Sequence, residues 1–270
     1  MAFEGIETET IAVVAVLIGV VAFFYSNLGL GGGQLYVPIM DLFFISLFIK
    51  EVVPLSLMFA FVTMLTAAYT HNKKGLVDLK LGIPLALAGL FGVAAGVLFT
   101  STVEETIVKA GFAALLVIVA TKMLYDIYRA KAENMDSPEA FTRKQWVAGV
   151  GVSVLIGFLV GSFGIGGGVV SVPLIIYVFR VEARRAIGTS ALMGAILTPA
   201  AFLAYVLTTA GSGSEIPYGL VFIFTPIVFV MAFVGSTWGL KKLRTPIVKT
   251  IFTCGVYLAA SEMIYSLLYT

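Results

Sequence analysis

The chain has 270 residues, of which 60% are hydrophobic and 12% charged, and its formal net charge is +2. Soluble domains average about 25% charged residues, and a compact soluble fold needs a polar surface that a chain of mean hydropathy +1.04 cannot supply. The composition therefore excludes a soluble globular protein and predicts an all-α integral membrane protein. It contains no long basic run of the kind that binds nucleic acid.

Ten apolar segments follow one another along the chain, separated by short polar stretches. Most of them approach the ~20 residues that a helix needs to cross a bilayer, but the second and the seventh are too short. Because short spans are ambiguous, a count of eight or nine full crossings also fits the pattern. The predicted segments are 10–27, 34–48, 51–71, 80–99, 105–127, 145–162, 168–179, 184–208, 217–240 and 246–269.

The basic residues predict how these segments are oriented. Lys and Arg lie in the loops at 72–80, 128–144, 180–185 and 241–245. The two termini and the loops at 100–105 and 209–216 contain neither residue. Since basic loops remain on the cytoplasmic side, ten crossings with both termini outside account for the whole pattern except Lys50.

A glycine-rich decapeptide occurs twice, each time just before one of the short segments. Residues 29–38 read GLGGGQLYVP and residues 164–173 read GIGGGVVSVP. The similarity continues downstream, where Ser56 aligns with Ser190, GLFGVAAG with AFVGSTWG, and IVKAGF with IVKTIF. We interpret the chain as two five-segment units, residues 1–130 and 145–270, joined by a cytoplasmic linker at 131–144. An odd number of crossings per unit predicts inverted repeats, the construction of many secondary transporters.

The glycine clusters are the predicted substrate site. A short helix that ends at the membrane surface must begin inside the bilayer, where irregular backbone is tolerated only if it is buried in protein or faces water. Glycine allows the backbone to turn there, and a helix N-terminus offers free N–H groups to an anion. The predicted substrate-binding residues are Asn27, Gly31, Gly32, Gly33, Gln34, Ser56, Gly166, Gly167, Gly168, Thr189 and Ser190.

Close helix packing is the alternative interpretation of these glycines, because small residues four apart are a common packing pattern in membranes. We prefer packing for the glycines of the fourth and ninth segments, such as Gly92 and Gly96, and two broken helices for the triple glycines. The hydroxyl residues are equally compatible with bonds to their own helix backbone.

Two acidic residues lie deep inside predicted segments and are candidates for ion coupling. Asp41 aligns with Ile176 in the second unit, and Glu262 aligns with Lys122 in the first. Intramembrane charges are functional candidates by default. Structural pairing is the other role that the sequence leaves open for both carboxylates.

The duplicated GxGGGxxxxP pattern, the RRAIGTS stretch at 184–190 and the HNKKGLVD loop at 71–78 resemble the sulfite exporter TauE/SafE family of permeases. The resemblance covers nearly the whole chain. It implies a multi-pass protein of the prokaryotic inner membrane that moves small sulfur-containing anions such as sulfite, sulfoacetate or other organosulfonates. One departure from symmetry is that Pro54-Leu55-Ser56 stands where the second unit has Gly188-Thr189-Ser190.

The expected function is therefore a secondary transporter, embedded in lipid, that exports a small sulfur oxyanion or sulfonate. No catalytic triad, P-loop or metal-ligand spacing occurs in the sequence, so we predict neither an enzyme nor a bound cofactor or metal. A passive anion channel and a membrane assembly protein without transport are the alternatives.

Overall fold

A computed structural model describes residues 8–44, 49–128, 141–209, 216–239, 256–261 and 263–265. The described residues form helices and connecting turns, with no strand among them. Within these ranges nine α-helices are followed by a short π-helix (Gly235–Gly239), and residues 256–261 and 263–265 are also helical. The α-helices are α1 (Thr8–Leu28), α2 (Gly33–Phe43), α3 (Ile49–Asn72), α4 (Leu79–Thr102), α5 (Glu105–Tyr128), α6 (Arg143–Phe163), α7 (Gly168–Tyr177), α8 (Ala183–Thr209) and α9 (Tyr218–Val234).

The predicted segments are confirmed as helices within the described residues. In the described part of the chain, six helices are long and apolar enough to cross a membrane: α1, α3, α4, α6, α8, and α9 together with most of the π-helix. The second and seventh segments are short, as predicted, with α2 spanning 11 residues and α7 spanning 10. Most of the tenth segment lies outside the described residues.

Helix α6 begins at Arg143, two residues before the predicted start of the sixth segment. Thr142 and Gln145 form a capping box at this helix start, in which each side chain bonds the backbone N–H of the other residue. Such a cap satisfies two N–H groups that have no partner within the helix. Residues 129–140 lie outside the described part of the chain.

Helices α3 and α8 pack against each other. Helix α4 packs on α6 and also contacts α8, and α1 packs on α9, which also contacts α3, while α2 lies on α3 and α7 lies on α8. The α4–α6 contact is close because glycines face backbone: a Cβ on Gly92 would meet the Val154 carbonyl, and one on Gly157 would meet the Gly89 carbonyl. Small residues at these positions let the helices approach, as the packing interpretation predicts.

Candidate functional site

The first glycine loop (residues 29–33) joins α1 to α2, and the second glycine loop (residues 164–168) joins α6 to α7. Gly32 and Gly167 are the N-cap residues of α2 and α7, and they adopt left-handed conformations with φ of 87° and 79°. Gly29 and Gly164 are also left-handed, with φ of 63° and 67°. Side chains with a Cβ rarely adopt these angles, so glycine is required for the turn between each pair of helices.

The two glycine loops lie in direct contact, and we call this contact the glycine crossing. A Cβ placed on Gly31 would be 2.8 Å from the Cα of Gly166, and one placed on Gly166 would be 2.8 Å from the Cα of Gly31. A Cβ on Gly33 would overlap the carbonyl of Gly164, and one on Gly168 would overlap the carbonyl of Gly29. The two chain segments can approach this closely because glycine has no side chain.

Two serines hold the glycine crossing together from the central helices. Ser56 on α3 donates a hydrogen bond of 3.1 Å to the carbonyl of Gly164 in the opposite half of the chain. Ser190 on α8 donates a bond of the same length to the carbonyl of Gly29. Each contact therefore has a counterpart when the halves are exchanged. Ser190 is also hydrogen-bonded to Ser171 of α7, at 2.7 Å.

The N-termini of α2 and α7 meet at this crossing. The first intrahelical bonds run from the N–H groups of Leu35 and Tyr36 to Gly32 and from those of Val170 and Ser171 to Gly167. The N–H groups that precede them in each helix have no partner within the helix, as is general for helix starts. Two partial positive charges thus lie close together in an apolar part of the chain.

The predicted site residues are largely brought together, with two exceptions among the described ones. The six central glycines, Gln34, Ser56 and Ser190 lie at or beside the glycine crossing. Thr189 instead accepts a hydrogen bond of 2.9 Å from the backbone N–H of Asp78, in the loop that follows α3. Asn27 is half-buried in the last turn of α1.

The surroundings of the crossing are polar on one side and apolar on the other. Gln34 is fully buried beside the Tyr25 hydroxyl, and neither of its amide atoms makes a well-formed hydrogen bond. Its counterpart in the second half of the sequence is Val169. Val169 and Val170 line a small pocket with Ile165 and apolar side chains of α5 and α6.

Asp41 forms an ion pair near the end of α2, with a partner that our sequence reasoning missed. The Lys109 ammonium on α5 lies 3.2 Å from Asp41 and 3.3 Å from Glu105. The Asp41 side chain is 6% exposed and that of Lys109 20%, so the pair is largely shielded from water. Lys109 belongs to the IVKAGF stretch, which aligns the two units but predicted no role for this lysine. Glu262 lies outside the described residues.

The comparison with protein families decides where this chain belongs. Residues 12–263 match the model of the sulfite exporter TauE/SafE family. The chain belongs to the TauE/SafE family. Membership makes it one of a family of probable membrane transporters, and the six long apolar helices agree with a multi-pass membrane protein.

Three curated relatives align with most of this TauE/SafE chain. A probable membrane transporter protein of Methanocaldococcus jannaschii is 28% identical over 227 residues, which is 82% of this chain and 79% of the relative. One from Bacillus subtilis is 24% identical over 278 residues, or 94% and 97% of the two chains. One from Haemophilus influenzae is 27% identical over 226 residues, or 81% and 83%. No solved structure is a significant match.

Proposed function

We propose that this TauE/SafE protein is a secondary transporter that exports a small sulfur-containing anion, and that the glycine crossing is its substrate site. The observation that carries the proposal is the meeting of two short helices, α2 and α7, at their N-termini. Helix N-termini bind anions without a basic side chain. Sulfite and sulfonate groups offer several oxygen acceptors to such N–H groups.

We further propose that the two halves of the chain are inverted repeats with two broken helices. The support is that equivalent residues of the two halves make equivalent contacts at the glycine crossing. Gly33 faces Gly164 as Gly168 faces Gly29, and Ser56 binds the second loop as Ser190 binds the first. Such repeats allow one half to rock against the other around a fixed site.

The contact between the loops also suggests how access is controlled. Gly31 and Gly166 lie too close together for a ligand to fit between them. Substrate binding at this point therefore requires the loops to separate. Separation would break the hydrogen bonds from Ser56 to Gly164 and from Ser190 to Gly29. In this scheme the present structure is an occluded conformation.

The sequence left two roles open for Asp41, ion coupling and structural pairing. The ion pair with Lys109 supports structural pairing. The Asp41 carboxylate has a cationic partner at 3.2 Å, which it shares with Glu105, so pairing accounts for its position without a coupling ion. Export of an anion from a negative cell interior needs none either.

The test is flux from liposomes that contain the purified protein. The vesicles are loaded in separate preparations with sulfite, sulfoacetate, thiosulfate, taurine or a carboxylate, and efflux is compared with protein-free vesicles. Saturable efflux of one sulfur anion, inhibited by a second, supports the proposal. Linear efflux at high rate would indicate a channel, and no efflux of any of these compounds would contradict a transport function for them.

A further inference from the structure

Five buried hydroxyl groups form a chain along one face of α3, which we call the hydroxyl ladder. The Tyr36 hydroxyl is bonded to that of Thr63 at 3.0 Å, and the Thr70 hydroxyl is bonded to that of Ser236 at 3.0 Å. Between them, Thr66 donates to the carbonyl of Thr63 at 2.9 Å, and Thr70 donates to the carbonyl of Thr66 at 2.8 Å. Each of these residues is at most 5% exposed.

One end of the hydroxyl ladder lies at the first glycine loop. A Cβ on Gly32 would be 2.8 Å from the Tyr36 ring, so this ring packs directly on the loop. Gln34, two residues earlier, is fully buried, with the Tyr25 hydroxyl as its polar neighbour. One hydroxyl can fill only part of the hydrogen-bonding capacity of an amide, and the remaining part costs free energy unless another group binds it. This buried amide is an observation independent of the ladder that indicates a polar ligand here.

The other end of the ladder lies at the π-helix, near the loop that follows α3. Ser236 is the second residue of this helix, which replaces the regular end of α9. π-Helices are rare, but those that occur are often found at functional sites. Past Thr70, α3 ends at Asn72 and leads to Lys73 and Lys74, in a loop predicted to be cytoplasmic.

The three threonines of the ladder have no hydroxyl counterparts in α8. The residues of α8 that align with Thr63, Thr66 and Thr70 are apolar, namely Leu197, Ala200 and Ala204. Helix α8 has buried hydroxyls too, on Thr189, Ser190 and Thr198, but none at the positions aligned with the ladder. Of these two packed helices, α3 is therefore the one whose hydroxyls continue from the glycine loop to the π-helix, which points to a role in binding or access on that side of the glycine crossing.

We propose that the hydroxyl ladder is the polar route by which a hydrophilic anion passes between the glycine crossing and the Lys73–Lys74 end of α3. This inference rests on the proposed transport function and adds the residues of the route. The threonine hydroxyls now donate to carbonyls of their own helix, and rotation of the side chain redirects each proton to a passing oxyanion. The aligned apolar face of α8 predicts no such route on the opposite side.

Accessibility of a single cysteine tests the route without requiring a known substrate. Thr66→Cys is made in a Cys254→Ser background and treated in sealed vesicles with a charged, membrane-impermeant thiol reagent from each side. We expect Thr66→Cys to react from the side on which Lys74→Cys reacts, and Ala200→Cys, the aligned control in α8, to remain unreactive from both sides. Thr66→Cys that is unreactive from both sides would overturn the inference.

Flux measurements supply the second arm of the test. Thr66→Val is expected to lower substrate efflux about two- to tenfold, the range for one lost hydrogen bond, and Thr66→Ser to restore it. Thr198→Val is the matched control, because Thr198 is buried in α8 and donates only to its own helix, at Gly194. If the wild type transports and Thr66→Val transports equally well, the inference fails while the proposed function stands. If the wild type moves no tested anion, the proposed function fails and the accessibility result still decides the route.

Discussion

Gly166 provides the cleanest single-residue test of the glycine crossing. Its backbone φ is not in the left-handed region, so alanine is allowed there, but the added Cβ would lie 2.8 Å from the Gly31 Cα. Forcing backbone apart in a packed interior costs about 1–3 kcal/mol. We expect Gly166→Ala to lower the thermal unfolding temperature in detergent and to reduce efflux.

The matched control for this change is Gly151→Ala. Gly151 also lies in the second half of the chain, within α6, and a Cβ there would meet nothing within 4 Å. Alanine is the better helix former by about 1 kcal/mol, so this variant should be as stable as the wild type or more so. Equal behaviour of the two variants would show that the loops are not in contact.

The Asp41–Lys109 pair gives a second prediction at the scale of residues. Removing Lys109 leaves the Asp41 carboxylate in poorly solvated surroundings, which costs up to about 3–5 kcal/mol for a buried pair, whereas removing Asp41 leaves Lys109 paired with Glu105 and costs less. We expect Asp41→Asn and Lys109→Met each to destabilise the protein, and the double variant to be more stable than the sum of the two losses predicts. A double-mutant cycle on thermal or denaturant unfolding measures this coupling, and strictly additive losses would contradict the pairing.

At the scale of elements, Ser56 and Ser190 connect each central helix to the glycine loop of the other half. Hydrogen bonds between helices in membranes contribute about 0.6 kcal/mol on average and at most about 1.7. We expect Ser56→Ala and Ser190→Ala each to lower the unfolding temperature slightly and to weaken substrate binding. Ser261→Ala is the control, because its exposed hydroxyl donates only to Leu258. A loss confined to one of the two central serines would contradict the exchange of roles between the halves.

The sequence allowed the helices to be predicted well because hydrophobic length and glycine position are local properties. The turns before α2 and α7 could be located from the triple glycines alone, since three such residues in succession rarely continue a membrane helix. The contact between the two loops could not be predicted, because it depends on how α3 and α8 bring distant segments together. Lys109 was overlooked for the same reason: its partner Asp41 lies on another helix, and no spacing in the sequence connects them.

The partners of buried hydroxyl groups could not be predicted from the sequence either. Thr189 and Ser190 are neighbours and were both expected at the site, yet Thr189 bonds the loop after α3 while Ser190 bonds the glycine loop. Successive residues of a helix point about 100° apart. Which of two adjacent hydroxyls faces the crossing therefore depends on the rotation of α8 about its axis, which packing determines.

At the scale of the whole molecule, the orientation in the membrane can be tested at two described positions. The basic loop after α3 is predicted to be cytoplasmic and the end of α4 to be outside. In a Cys254→Ser background, we expect Lys74→Cys to be labelled only after the membrane is permeabilised, and Thr102→Cys to be labelled by an impermeant reagent in intact cells. Labelling of Lys74→Cys in intact cells would reverse the orientation.

The direction of transport is the property that depends on the molecule as a whole and on its membrane. A negative interior favours the exit of an anion by about 2.3 kcal/mol per charge for each 100 mV, so a monoanion is driven outward without a coupling ion. Asp41, one of the two acidic candidates for coupling, is paired with Lys109, which favours movement driven by the potential alone. We expect efflux from substrate-loaded proteoliposomes to accelerate when valinomycin and a potassium gradient make the interior negative, with no proton or sodium gradient present. Efflux that ignores the potential and follows an imposed proton gradient would contradict this, and the Asp41→Asn variant would then show whether that carboxylate carries the proton.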